Sequence, residues 1–268
     1  MPNNSKGSPR RGDVVLLVAR GSLGEWAALS LARRFNGLVV LREEPETKGQ
    51  IIRRRIRLCG LVAALGQVAA GLVFRVMARL SQQRLSQVAV EAGLGRETAE
   101  GGPKPRIIDV GSVNSQRCRR ALQLIRPRAV GVYGTRLISK KTLEAVDAPF
   151  INYHAGINPR YRGQHPAYWA RVAGDEAHAG VTVHLVDTGV DTGAVIYQAP
   201  VRFTPSDTIA TYQHVQMQTG MRLLGDAIED ALEGRLSTFL PEAPSRLWFP
   251  PTIWAYAWNG AVTVSYTH

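Results

Sequence analysis

What is scarce in this sequence narrows it first. Of 268 residues two are cysteine, Cys59 and Cys118, too few for a disulfide framework and without the paired spacing of a structural zinc site. Six are histidine, and His154, His165 and His184 stand in neither an HxH nor an HExxH arrangement, so no metal is expected. Asp187 and Asp191 in DTGVDTG lack the ligand series of an EF-hand. Acid is thin in the first half: residues 1–150 carry 26 Lys/Arg against 11 Asp/Glu, while residues 151–268 carry 7 against 10. A basic half of this kind draws nucleic acid, phosphorylated or polyglutamylated ligands, or an anionic membrane. Yet there is no aromatic-interleaved RNA motif, helix-turn-helix or zinc finger, and a basic nucleic-acid-binding protein is kept only as the non-enzymatic alternative. A secretory leader is missing too: residues 1–13 form a polar tail directly before a strand-like run, so a cytoplasmic location is expected.

What is present reads as an α/β chain. VVLLVA at 14–19 is a short buried-strand pattern, followed by a glycine turn and by EWAALSLARRF with helical spacing. The turn offers only Gly21 and Gly24, neither a dinucleotide fingerprint nor a P-loop. Strands are expected at 37–41, 106–110, 128–134 and 150–154, with helices over SQRCRRALQLIRP and ISKKTLEAVDAP between them. Alternation of this sort gives a mostly parallel central sheet with helices on both faces, here one domain over 14–235 with a short extension at 236–268.

One segment falls outside that alternation. Residues 58–74 hold no charge, with Arg53, Arg54, Arg55 and Arg57 before them and Arg75 and Arg79 after. The run is shorter than the ~20 apolar residues of a spanning helix and contains Gln67 and three glycines. Two readings fit: a helix lying on an anionic membrane surface through residues 53–79, peripheral to the membrane, or a basic helical insertion at about 51–105 packed on the domain. Either way its expected contribution is to location or to an interface, such as a homodimer, and not to the chemical step.

The chemistry concentrates at 152–191. Asn152 and His154 are two apart on a strand, so both point to one side, at the entrance to the polar loop AGINPRYRGQHP. GVTVHLV alternates as a strand, with His184 between apolar neighbours in what reads as a structural position, and the acidic turn DTGVDTG follows. An Asn-x-His alone is a weak signal, and spacing does not establish that Asp191 returns to His154. Taken together, however, Asn152-Tyr153-His154, Pro159, Tyr161-Arg162-Gly163, Gly180-Val181-Thr182-Val183-His184 and Val190-Asp191-Thr192-Gly193 form an ordered set. That set resembles the core of the folate-dependent formyltransferases, which include glycinamide ribonucleotide transformylase, methionyl-tRNA formyltransferase and the nucleotide-sugar N-formyltransferases. Upstream, Pro127-Arg128 and Gly134-Thr135-Arg136-Leu137-Ile138-Ser139 are similar to the strand and loop that read the pterin edge in that family.

The resemblance implies a Rossmann-like formyltransferase fold and transfer of a formyl group from 10-formyltetrahydrofolate to a primary amine. Asn152, His154 and Asp191 take the catalytic positions: amide donation to the developing oxyanion, proton handling, and orientation of the imidazole. Arg136, Leu137, Ile138, Val186, Asp187 and Val190 take the folate positions. Arg160, Arg162 and His165 are the candidates for the acceptor. Ala155-Gly156-Ile157-Asn158 stands where the family has Ser-Leu-Leu, and Pro127-Arg128 where it has Pro-Asp, so the loop and the strand start depart from the pattern. The stretch after about 235 is short for the tRNA-binding barrel of the methionyl-tRNA enzymes, which makes a small amine the expected acceptor, an amino sugar or nucleotide-linked amino sugar before glycinamide ribonucleotide. A formyltetrahydrofolate hydrolase is the competing enzyme, using the same three residues with water as acceptor.

Overall fold

Strand β1 (Val14–Ala19) is buried along nearly its whole length, as an unbroken apolar run feeding a glycine turn should be. The computed structural model describes residues 12–93 and 103–265, with side chains to residue 260. Residues 1–11 of the polar tail, and residues 94–102 within the insertion expected at about 51–105, lie outside the described residues. After β1 come α1 (Ser22–Arg34), β2 (Val39–Glu43), the long α2 (Lys48–Leu80), α3 (Gln82–Glu91), β3 (Arg106–Gly111) and α4 (Gln116–Ile125). They are followed by β4 (Ala129–Tyr133), α5 (Lys140–Leu143), β5 (Phe150–His154), β6 (Arg162–Gly163), α6 (Pro166–Val172), β7 (Gly180–Leu185) and β8 (Val195–Pro200). The helix α7 (Tyr212–Leu232), β9 (Leu247–Trp248) and α8 (Ile253–Ser265) complete the order.

Seven strands form one sheet in the order β3-β2-β1-β4-β5-β7-β8. The first five run parallel, with the winding reversed between β1 and β4, and β7 and β8 finish the edge antiparallel. Alternate residues of each strand fill the two faces. Val14, Leu16 and Val18 join Ile151 and Tyr153 under α1 and α7, while Val15, Leu17, Val130 and Val132 pack on Cys118 and Leu122 of α4. Those two residues of α4 are one helical turn apart, and Ser115 caps the helix by accepting the Cys118 N–H at 3.1 Å. Arg126, left-handed at φ 53, ends it before Pro127.

The charged and apolar insertion is helical, and one of its faces is packed on the domain. Thr47 and Gln50 start α2 with a reciprocal capping box, and Gly60, at φ 81, breaks its helical backbone. Beyond the break, Ala64, Gly66, Gln67 and Ala70 are buried on the domain, while Val62, Leu65 and Leu72 on the other side are more than half exposed. By length and composition α2 could cross a bilayer, but its inner face is tied down. Gln67 donates to the Pro250 carbonyl at 3.1 Å, and Gly66 lies so close to the Trp254 ring that no β-carbon would fit. From α3, Arg84 makes a bidentate pair with the buried Asp207 at 2.9 and 3.1 Å. Nor is the stretch after 235 a loose appendage: β9 pairs with β6, Phe239 bridges to Val195, and Trp169 donates to the Phe249 carbonyl at 2.9 Å.

Candidate active site

The antiparallel register of β5 and β7 sets Asn152 opposite His184 and His154 opposite Thr182. Directly opposed side chains on one face touch, and Asn152 Nδ2 lies 3.0 Å from His184 Nε2. The other ring nitrogen of His184 donates to the Leu185 carbonyl at 2.7 Å. A ring protonated on Nδ1 leaves Nε2 to accept from the Asn152 amide, and the carboxamide is thereby fixed in orientation. His184, which reads from sequence as a structural strand residue, therefore belongs to the site; the strand register that brings it there is not visible in local alternation.

His154 is held from both sides. Its Nε2 donates to the Tyr161 carbonyl at 2.8 Å, and its Nδ1 faces Asp191 Oδ2 at 3.4 Å. Both partners are acceptors, an arrangement that an imidazolium satisfies. Asp191 also accepts the Gly163 N–H at 2.9 Å and has His184 Nε2 3.6 Å from its second oxygen. Burial by itself would push this carboxyl up. The charge of His154, the His184 ring beside the carboxylate and the Gly163 N–H outweigh it, so Asp191 titrates below the usual carboxylate range.

The acidic turn is built to aim Asp191 inward. Thr192 Oγ1 donates to Asp187 at 2.7 Å and the Gly189 N–H does so at 3.0 Å, closing the turn on itself. Asp191 takes a left-handed φ of 52, and Gly193 passes against the Leu185 carbonyl where a β-carbon has no room. The loop after β5 is fastened in turn by Thr182, whose hydroxyl donates to the Gly156 carbonyl at 2.6 Å and accepts the Asn158 N–H at 3.1 Å.

A cavity of about 510 Å³ opens beside Asn152, His184 and Asp191. Arg136, Leu137, Ile138, Val186, Asp187 and Val190 all line it. Arg136 does not offer its charge: the guanidinium folds back onto the buried Glu43 at 3.0 Å and the Glu44 carbonyl at 2.7 Å, and its N–H donates to Glu43 at 2.9 Å. The 136–138 loop thus meets the cavity with backbone and aliphatic surface.

The three residues expected to meet an acceptor are elsewhere. Arg160 lies 3.6 Å from Asp175, and Arg162 donates to the Ser245 hydroxyl at 2.7 Å. His165, left-handed at φ 54, packs on Phe74, and burial followed by the charge of Arg55 pushes its imidazole down to about 4. None of the three lines the cavity, and nor does His154, which stands behind Asp191. The loop turns at His165 and sends these side chains to α2, α6 and the C-terminal stretch, a direction that sequence spacing does not fix. The opposing wall comes instead from α2, with Arg54, Arg55, Leu58, Cys59 and Gln67, and from Leu247 to Pro250. The 53–79 segment, expected to serve location or an interface and not the chemical step, thus also lines the cavity. The one sequence signal for this wall is the i, i+4 spacing of Arg55 and Cys59, which puts both on one helix face, and nothing in it points to a cavity.

Residues 85–228, more than half of the chain, match the family described as Formyl transferase. A methionyl-tRNA formyltransferase of Burkholderia mallei is 41% identical over 99 residues, which are 37% of this chain and 30% of that protein. The match thus spans less than a third of that relative's length. Among solved structures, glycinamide ribonucleotide transformylase 1 of Symbiobacterium toebii aligns with a TM-score of 0.53 at 20% identity, covering 88% of this chain and 93% of that one. A sugar N-formyltransferase of a Shewanella species aligns with a TM-score of 0.51 at 16% identity over 88% and 76% of the two chains. These structural likenesses are of fold, and the fold is the Rossmann-like one expected from the sequence. With more than half its length inside the family match and this sheet beneath its Asn-His-Asp cluster, the chain belongs to the formyl transferase family.

Proposed function

We propose that this chain transfers a formyl group from 10-formyltetrahydrofolate to the primary amine of a small, phosphate-bearing acceptor, an amino sugar or nucleotide-linked amino sugar. The observation that carries the reading is the convergence of Asn152, His184, Asp191 and His154 at one end of a cavity that continues beside them along the apolar and backbone surface of 136–138, 186 and 190. A flat, hydrogen-bonding heterocycle fits such a wall, with few polar groups and those at one end. When bound, the formylfolate supplies an electrophilic carbonyl carbon.

The chain's own residues supply the rest. Asn152, its carboxamide pinned by His184, directs an N–H into the cavity where negative charge develops on the carbonyl oxygen, and a donor fixed before reaction is worth most in the transition state. Asp191, ionised and desolvated, faces the proton released by the attacking amine, and His154 behind it holds that carboxylate in place. Asp191 then passes that proton to the departing folate nitrogen as its bond to the formyl carbon breaks, while His184 keeps the Asn152 amide in orientation.

For the acceptor, the α2 wall carries the argument. Arg54 is paired with Glu46 at 2.9 Å, but Arg55, half-buried beside the cavity, has no carboxylate partner among the described residues. Burial, and then Arg54 beside it, hold its guanidinium below the ordinary value, the signature of a cation short of counter-charge. A phosphate would supply that charge, and Phe249 on the same wall, exposed beside the cavity, offers an apolar ring on which a sugar packs. The test is incubation with 10-formyltetrahydrofolate and a panel of amines, with mass spectrometry for the formamide and a parallel formate assay without amine. Formamide from phosphorylated amino sugars is the expected result. Formate release without amine would favour the hydrolase, and no consumption of the folate would overturn the reading.

A further inference from the structure

Beyond the site, the largest feature that the proposed reaction leaves unused is the outer face of α2 after Gly60. Leu61, Val62, Leu65, Leu72, Val73 and Val76 point away from the domain along a stripe running about 25 Å at 1.5 Å per residue. Val62 is 71% exposed and Leu65 59%. The stripe continues onto α8, where Trp254, seated on Gly66, is 50% exposed and Trp258, one helical turn on, is 71% exposed. Single exposed apolar residues need no explanation, but an uninterrupted face of this extent marks an interaction surface.

The charge around the face identifies what covers it. Helix α2 has seven basic residues and no acidic one, and α8 carries no charge at all. Arg53 and Arg57 are exposed before the stripe, and Arg75 and Arg79 at its far end. The nearest acid on α3, Glu91, already lies 3.7 Å from Arg84. Seating a second copy on this face, in either direction, would bring arginine against arginine with no carboxylate of α2 or α8 between them. A layer that is apolar within and anionic at its surface complements the face instead. The buried inner side of α2 places the helix flat on that layer and not through it.

We infer that the outer face of α2 and α8 docks this protein peripherally on an anionic lipid membrane, with the leucines, valines and tryptophans in the headgroup and acyl boundary and Arg53, Arg57, Arg75 and Arg79 against lipid phosphates. The same helix forms part of the cavity wall through Leu58, which is itself 60% exposed, so docking sets the cavity close to the lipid surface.

Co-sedimentation of the full chain with vesicles tests this independently of any formyl transfer. Binding is expected to phosphatidylcholine vesicles containing phosphatidylglycerol and to fall steeply in high salt, with little binding to phosphatidylcholine alone. Leu65→Asp with Leu72→Asp, both on the exposed side, should abolish binding and leave the circular dichroism spectrum and melting temperature in place. Arg53→Gln, Arg57→Gln, Arg75→Gln and Arg79→Gln should each weaken binding by up to about fivefold. No sedimentation of the wild type with anionic vesicles at low salt would overturn the inference. So would undiminished binding by the double aspartate variant, or a dimer in sedimentation velocity that the double variant makes monomeric while vesicles go unbound.

Discussion

The cavity has two walls of different origin. One is made by β5, β7 and their loops, where strand register and a braced turn place Asn152, His184 and Asp191 with little freedom, entirely inside the family match at 85–228. The other is made by α2, from Arg54 to Gln67, and by Leu247 to Pro250, and both parts lie outside that match. The difference separates two tasks: a sheet-built wall holds groups to the tolerance that bond-making chemistry requires, while a helix laid over the top can change residues without disturbing it. On this reading the first wall governs turnover and the second governs which acceptor is held.

That division is open to direct attack. The largest effect is expected from Asn152→Ala, with kcat lowered on the order of 10²-fold or more, as for removal of an oxyanion donor, and with urea unfolding unchanged. His154→Ala and Asp191→Asn should also lower turnover strongly, because each breaks the pair that Asp191 depends on; steady-state kinetics on folded variants checks both. Asp191→Asn has a second readout. Because the folded carboxyl titrates below its unfolded value, its contribution to stability is full above about pH 4 and is lost as pH falls through the folded value. The variant should therefore show a flatter loss of stability in acid, measured by urea midpoints over a pH series.

The second wall should answer differently. Arg55→Ala is expected to raise the KM for a phosphorylated acceptor by about tenfold with kcat nearly unchanged, the pattern of lost uniform binding, and to leave the KM for an unphosphorylated amine where it was. If kcat falls instead, the two walls do not divide the work. The smallest effect concerns His165, which touches α2 and not the cavity. Its imidazole is held near 4, well below the usual value, so folding is disfavoured progressively as pH drops from about 6.5 toward 4 and the unfolded chain alone takes up the proton. His165→Asn, compatible with the left-handed backbone, should remove that dependence, worth on the order of 1–3 kcal/mol, in denaturation at pH 7 and pH 5.

The same division decides what could be read from sequence. The sheet was legible because its central parallel strands are buried on both faces and appear as short apolar runs, as in VVLLVA and RAVGVYG. Asn152 and Asp191 were legible as parts of an ordered motif, and the six residues of 136–138 and 186–190 do line the cavity. His184 was missed because its importance comes from the partner strand opposite it, a long-range register that alternation along one strand does not contain. Arg160, Arg162 and His165 do not line this cavity, because loop residues close in sequence to a site can face any direction. The α2 wall was missed because an amphipathic helix announces a buried side without saying what it is buried against.

Gly193 gives this architecture an observable signature in a saturation library. It contributes no functional group, yet any side chain there collides with the Leu185 carbonyl, a backbone atom fixed in the sheet and unable to rotate aside. All nineteen replacements at this codon should score as null, a column as empty as that of Asn152. Abundance would tell the two apart: cells carrying Asn152 variants should still accumulate the protein, whereas Gly193 variants should be depleted from the soluble fraction, with the shortfall eased at low growth temperature. A position selected only for what it lacks would then be distinguished from one selected for what it does.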